Sequence, residues 1–447
     1  MTSPTSAFDV AIVGGGLVGC SLAVALTRAR PAPRVVLIEA VPARPAAPAW
    51  DERCIALNAA SRRILDAIGA WESLAGDAEP ILSTHISERG RFGAARFTAE
   101  QAGLPALGYN TPLRAINDSL WSQSIRPLLD PREKGGYGLD AVWSDDLHHQ
   151  LRRHVAGDHE AYFSDYTGSV EDIVRTLRQG WFYEGQESKN HGVPRGTPAD
   201  GLPARAFVHC IQNHDQVGNR AFGDRLTESV PLPVYRAASA LLLLSPYTPL
   251  LWMGQEWAAT TPFQYFTDHP EELGKRVTEG RRKEFGKFSA FADPAVRERI
   301  PDPQAVSTFR NSKVRWDEAE RMPHAGVRAL YRELLRLRRT HPALRRRDRE
   351  SFAAAALGEH GIALRRTGPD GAALLLVVSL QGALSVDLGA MQETRAPADR
   401  WELLLSSEEA RFGGEAEGEL VRLSPDGRLE MGGAGAVVLE GVGRVEV

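Results

Sequence analysis

The chain has 447 residues, with 43% hydrophobic and 25% charged residues and a formal net charge of -4 at pH 7. That length predicts two or three domains, and the composition is that of a globular chain with a sizeable core. The mild acidity, with a pI near 6.3, argues against a nucleic-acid partner. Cys20, Cys54 and Cys210 are too sparse and irregular for a disulfide framework or a zinc site, so a reducing, cytoplasmic setting and no metal are expected. No cationic region precedes the first apolar run, so no secretory signal is expected. The most apolar segment, Ala240 to Gly254, is cut by Pro246 and Pro249. It falls short of the ~20 apolar residues of a transmembrane helix and reads as a buried element. The basic stretch Leu344 to Glu350 reads as a solvated helix end.

In chain order, "FDVAIVGGG" (Phe8 to Gly16) is a short apolar strand entering a glycine turn. "LVGCSLAVALTRA" (Leu17 to Ala29) follows with helical periodicity, and "RVVLIEA" (Arg34 to Ala40) is a second β-branched run ending in an acid. Gly14, Gly16 and Gly19 fit the G-x-G-x-x-G turn, in which glycine permits close approach of a pyrophosphate to a helix N-terminus. Glu39, roughly 20 residues on, suits hydrogen bonding to ribose hydroxyls. Strand, turn, helix, strand and acid together predict a Rossmann-type dinucleotide fold.

The stretch from Phe8 to about Trp121 resembles the start of the flavin-dependent aromatic hydroxylases of ubiquinone biosynthesis. The residues behind this are the glycine turn, Glu39, "DERCIALN" (Asp51 to Asn58), Arg89 to Tyr109, and "LRAINDSLW" (Leu113 to Trp121). The resemblance implies FAD, with Arg53 near the flavin; read alone, Arg53 is more readily a surface ion-pair partner. Such hydroxylases carry a second, "GDAAH"-like flavin segment and a substrate-roofing sheet, and neither is found. The FAD site is therefore expected to be incomplete.

From about Leu128 the pattern changes. A helix is expected around "DDLHHQLRRHVAG", stopped by Gly157, and another over Ser169 to Trp181, opened by a capping-box-like Ser169 and Asp172. "AFVHCIQNHD" (Ala206 to Asp215) reads as a buried strand ending in polar residues. Tyr235 to Trp257 reads as a helix and then a strand ending at Gly254, Gln255 and Glu256. Gly326 to Arg345 has strong helical periodicity and closes at Pro342. "GIALRRTG", "AALLLVVSL", "RWELLLSS" and "GAVVLEG" read as short strands of a small β-sandwich. The fold class is α/β: a partial Rossmann-type FAD-binding unit over residues 1–121, a joint at 122–129, the second half of a (β/α)8 barrel over 130–350, and a β-sandwich over 351–447. Barrel active sites lie at the C-terminal ends of the strands. Asn213, His214 and Asp215 are thus either sugar-facing groups or a polar strand cap.

From about Asp130 to the end the chain resembles malto-oligosyltrehalose trehalohydrolases of the α-amylase superfamily. The motifs are "GGYGLDAVWSDDLHHQLRRHVAGDHEAYFSDYTG", "FVHCIQNHDQVGNRAFGDRL", "LLSPYTPLLWMGQEW", "PFQYFTDH", "GRRKEF" and "STFRNSKVRW". The resemblance implies a malto-oligosaccharide substrate, release of trehalose, and no cofactor for this part. It makes Asp215 the catalytic, transition-state-stabilising acid and puts Asn213 and His214 on the sugar hydroxyls. Trp143, Asp146, His148 and His149 would line the cleft, and Phe263, Tyr265 and Phe266 would stack on sugar rings, loop packing being the alternative for those three.

Retaining glycosidases need a nucleophile and a general acid, ~5–5.5 Å apart. In this superfamily both precede the "NHD" acid. Asp140 in "GLDAV" is a decoy, because Gly138 stands where the nucleophile strand carries arginine. Glu184 in "WFYEGQ" reads as a turn residue rather than the acid. The glycosidase-like part thus starts after both carboxylates, and the chain reads as fragments of two different proteins joined between about Trp121 and Asp130. Three functions follow in order: a trehalohydrolase-like glycosidase inactive as written, a flavin-dependent hydroxylase, and a non-catalytic carbohydrate binder.

Overall fold

The computed structural model describes residues 10–13, 17–28, 35–38, 54–67, 70–87, 94–112, 115–116, 139–189, 193–284, 288–289, 293–346, 348–395, 400–414 and 421–443. Gly14, Gly16, Glu39, Arg53 and the joint at 122–129 lie outside them. The described chain forms two compact units, essentially Met1–Val142 and Trp143–Val447.

In the first unit, Val10–Val13 pairs in parallel with Val35–Ile38, and the helix Leu17–Arg28 connects them. This is the strand–helix–strand order that the apolar periodicity predicts. A second sheet sets Cys54–Asn58 antiparallel to Gly108–Pro112, which also pairs with Glu79–Ile81. Gly108 cannot carry a side chain there, because a Cβ would lie 2.5 Å from the Leu57 carbonyl oxygen. Cys20, Leu57, Leu65, Trp71, Leu74 and Ile116 share one buried cluster, with Trp71 edge-on to Tyr109 at 4.8 Å.

The second unit is built from strands and helices in alternation, so the chain is α/β. The strands Val142–Ser144, Phe207–His209 and Thr248–Pro249 form one sheet, the last two in parallel. The helix Asp146–Ala156 ends at Gly157, whose φ of 74° is a left-handed cap that glycine takes without Cβ strain. The helix Val170–Gln179 starts as its sequence predicts, with the Ser169 hydroxyl accepting from the Asp172 N–H at 3.1 Å. The helix Leu232–Leu244 is buried on nearly every side, and His324–Thr340 buries Val327, Leu330, Leu334 and Leu337 along one stripe.

Two expected strands are shorter than their apolar runs. The strand after Ala206 stops at His209, and His214 and Asp215 instead open a helix, His214–Gly218. The other ends at Pro249, before Gly254 to Glu256. Proline removes a backbone donor and fixes φ, so Pro249 donates nothing and the Leu250 N–H makes the bond to the His209 carbonyl. Glu184 stands in a strand, Glu184–Ser188, rather than a turn. Beyond residue 351 lie a five-stranded antiparallel sheet, ordered Phe352–Leu357, Gly361–Thr367, Ala373–Ser379, Gly435–Val442 and Arg400–Ser406, and a three-stranded sheet. Leu375, Val377, Val437 and Leu439 from the first share a buried cluster with Leu429 and Met431 from the second. No described helix is long and apolar enough to cross a membrane.

Candidate active site

The residues that follow the three strands of this sheet meet in one place. Asp145 and Asp146 follow the first, Cys210 to Asp215 the second, and Leu250 to Glu256 the third. The floor is fixed by backbone groups. The Leu250 N–H donates to the His209 carbonyl at 2.8 Å. Gly180, at φ 97°, offers its carbonyl to the Ser144 hydroxyl at 2.9 Å and to His209 Nε2 at 2.7 Å. A Cβ on Gly180 would lie 2.9 Å from the Phe207 ring. Burial pushes the His209 imidazole down to about 4, so it is neutral and its Nε2–H donates.

Asn213 is buried and caps the helix His214–Gly218, its Oδ1 accepting from the Gln216 N–H at 2.8 Å. That cap turns the next two side chains outward. His214 and Asp215 stand 40% and 48% exposed, with His214 Nε2 3.5 Å from Asp215 Oδ2. Rings flank them on both sides: Trp143 lies 5.7 Å from His214, and Trp252 lies 5.7 Å from it. Trp252 meets Phe263 at 4.9 Å, and Phe263 meets Phe266 at 5.9 Å. Tyr265 is half exposed, with the Arg281 guanidinium 4.7 Å from its ring centroid. Trp143, His214, Asp215, Phe263 and Phe266 are therefore brought into one contiguous group with Trp252.

Asp146, His148 and His149 face inward. Asp146 accepts from the Tyr166 hydroxyl at 2.6 Å and from the Phe182 N–H at 2.7 Å. His148 donates through Nδ1 to the Ile211 carbonyl at 2.7 Å. Burial, reinforced by the His149 and Arg152 charges, holds its imidazole well below the ordinary range. His149 stacks on Tyr166 at 4.9 Å. These residues support the strand end from beneath.

The neighbouring Asp145 is the residue that sequence reasoning passes over. It accepts from Gln216 Nε2 at 3.1 Å and stands 3.5 Å from Asn213 Nδ2, tying the first strand end to the cap of the second. Burial raises its carboxyl above the usual range. The Gln216 hydrogen bond opposes that shift, and the Asp146 and Asp215 charges add to it. Within "WSDDLHH" the two aspartates look alike; they separate because Asp145 precedes the helix Asp146–Ala156 and Asp146 stands in its first turn, so their side chains leave in different directions. Trp252 is likewise hidden inside an apolar run.

A malto-oligosyltrehalose trehalohydrolase of Deinococcus radiodurans is 49% identical over 269 residues, 58% of this chain and 41% of the relative. Most of this chain resembles the trehalohydrolases. It spans about two fifths of the length of the relatives it matches (41% in the Deinococcus case). A crystal structure assigned to an alpha amylase of Salmonella typhimurium superposes at a TM-score of 0.54 with 32% identity, covering 68% of this chain and 47% of that one. The amino-terminal part is similar to other proteins. A family model described as lycopene cyclase protein matches residues 9–73. The ubiquinone hydroxylase UbiL of Rhodospirillum rubrum is 37% identical over 182 residues, 38% of this chain and 41% of the relative. The trehalohydrolase-like and hydroxylase-like parts thus point to two unrelated chemistries.

Proposed function

We propose that the region from about Asp130 onward is the later part of a trehalohydrolase-type glycoside hydrolase, and that it holds malto-oligosaccharide without cleaving it. Residues 130–350 would be the second half of a (β/α)8 barrel and residues 351–447 a β-sandwich. One observation carries this reading: three strand ends place an exposed carboxylate, an imidazole and two indole rings side by side, the polar and flat surfaces that a sugar presents partners for. Asp215, with its carboxylate outward, would offset positive charge at a sugar ring, and His214 would donate to a hydroxyl. Trp143 and Trp252 would bracket the ring. The odd, sparse cysteines favour the cytoplasm. Calorimetry on the purified chain should show maltodextrin binding, weakened roughly tenfold in His214→Ala, the worth of one good hydrogen bond. The absence of any binding heat from the unaltered chain would remove the proposal.

A second reading applies to residues 1–121. The parallel pair Val10–Val13 and Val35–Ile38, with Gly19 in the first turn of the helix Leu17–Arg28, fits a Rossmann-type unit. The helix N-terminus would face the phosphates of FAD, with Gly14, Gly16, Glu39 and Arg53 completing the contacts. Bound FAD would supply flavin redox chemistry; these residues would only hold it. Because the sequence holds no second, "GDAAH"-like flavin segment, the purified chain is expected to show no flavin absorbance band. A stoichiometric band would restore the hydroxylase reading.

A further inference from the structure

The row of rings does not end at Phe266. Phe309, on the helix Val306–Asn311, meets Phe266 edge-on at 5.1 Å and is 43% exposed. The Lys313 ammonium lies 4.8 Å from its ring centroid. From Trp143 through His214, Trp252, Phe263 and Phe266 to Phe309, each ring is within 6 Å of the next. The outer end is held firmly. The Thr267 N–H donates to the Pro303 carbonyl at 2.8 Å, the Gln264 N–H to the Ser312 hydroxyl at 2.9 Å, and the His269 N–H to Gln304 Oε1 at 3.0 Å. The Thr308 hydroxyl donates to the Asp302 carbonyl at 2.6 Å. An exposed aromatic fixed in this way leaves apolar surface in water in the free protein and loses little freedom on binding.

We propose that Phe309 and Lys313 form an outer subsite for an α-glucan chain, receiving glucose units beyond those beside Asp215. The proposal rests on the carbohydrate-binding reading above and extends it to chain length. Continuity with the His214–Asp215 group selects the occupant, because a linear glucan leaving that group can follow the rings without a gap. The Phe309 ring would meet the apolar face of a sugar, and the Lys313 ammonium would donate to a hydroxyl at its edge. A lysine at the rim is suited to a neutral, hydroxyl-rich ligand as well as to the ring it covers.

The test is calorimetry of the full chain with linear malto-oligosaccharides from maltotriose to maltoheptaose. Affinity should rise with length in the unaltered chain. Phe309→Ala should weaken maltoheptaose roughly five- to tenfold, leave maltotriose unchanged, and retain the unaltered circular dichroism spectrum. Phe309→Tyr should keep the long-chain gain. If Phe309→Ala binds both lengths like the unaltered chain, or weakens both equally, the outer subsite is overturned while carbohydrate binding stands. If Phe309→Ala changes sedimentation rather than affinity, the ring serves contact between copies and the proposal also falls. If the unaltered chain binds no oligosaccharide of any length, this inference falls together with the reading beneath it.

Discussion

Incubated with malto-oligosyltrehalose, the purified chain should release trehalose at a rate at least about 10⁴-fold below that of a full-length trehalohydrolase, the scale of losing a nucleophile. Retaining hydrolysis needs two further carboxyl groups about 5–5.5 Å apart across the glycosidic bond. Two described acids at the same strand ends are held by other groups. Asp145 is hydrogen-bonded to Gln216 and sits beside the Asn213 amide, and Asp146 is committed to Tyr166 and Phe182. Glu184 accepts from the Gln179 side chain and from the Ala199 N–H. Asp215 can stabilise charge, but charge stabilisation without a nucleophile gives only a small part of a glycosidase's rate. Asp215→Asn should therefore leave the residual rate unchanged. Trehalose release well above buffer that disappears in Asp215→Asn would show that the chain finds its own pair of carboxylates, and the proposed inactivity would be abandoned.

The sequence makes the elements legible and leaves their meeting points hidden. The helices Leu17–Arg28, Val170–Gln179 and Leu232–Leu244, and the strands Gly361–Thr367 and Ala373–Ser379, follow from local periodicity and caps, which operate within a few residues. The polar cluster after His209 is also legible, since Asn, His and Asp at the end of an apolar run mark either a polar cap or a ligand-facing strand end. Its local shape is not: a helix begins where the apolar run predicts a continuing strand, because the Asn213 side chain caps a backbone N–H. Asp145 and Asp146 part at the start of the helix Asp146–Ala156, where Asp145 reaches Gln216 and Asp146 reaches Tyr166. Contacts such as Asp145 with Gln216, or Phe266 with Phe309, join segments tens of residues apart and leave no local periodic trace.

Removing one partner of the Arg236–Glu408 pair should cost the second unit about 3–5 kcal/mol, the usual penalty for stranding a buried charge. Arg236 is the only charged residue in the helix Leu232–Leu244 and is 2% exposed. It donates through Nε to Glu408 Oε1 at 3.1 Å, through Nη2 to Glu408 Oε2, and through Nη1 to the Gly413 carbonyl at 3.4 Å. Glu408 also accepts from the Ser407 hydroxyl at 2.8 Å. The pair therefore fastens an apolar helix to the turn after the strand Arg400–Ser406, across 172 residues of sequence. Arg236→Met keeps the length of the side chain and removes the charge, leaving the Glu408 carboxylate 12% exposed with no guanidinium. Arg236→Met with Glu408→Gln removes both charges and should recover more than half of the loss, because the penalty lies in the unpaired ion rather than in the lost attraction. Urea unfolding of the three chains, followed by Trp fluorescence and restricted to the transition of the second unit, reads these differences as shifts in midpoint at constant slope. A cost below about 1 kcal/mol for Arg236→Met would place the pair with solvent-screened surface bridges, and a double variant no more stable than the single would show that the Arg236 hydrogen bond to the Gly413 carbonyl, not the charges, holds the helix to the turn.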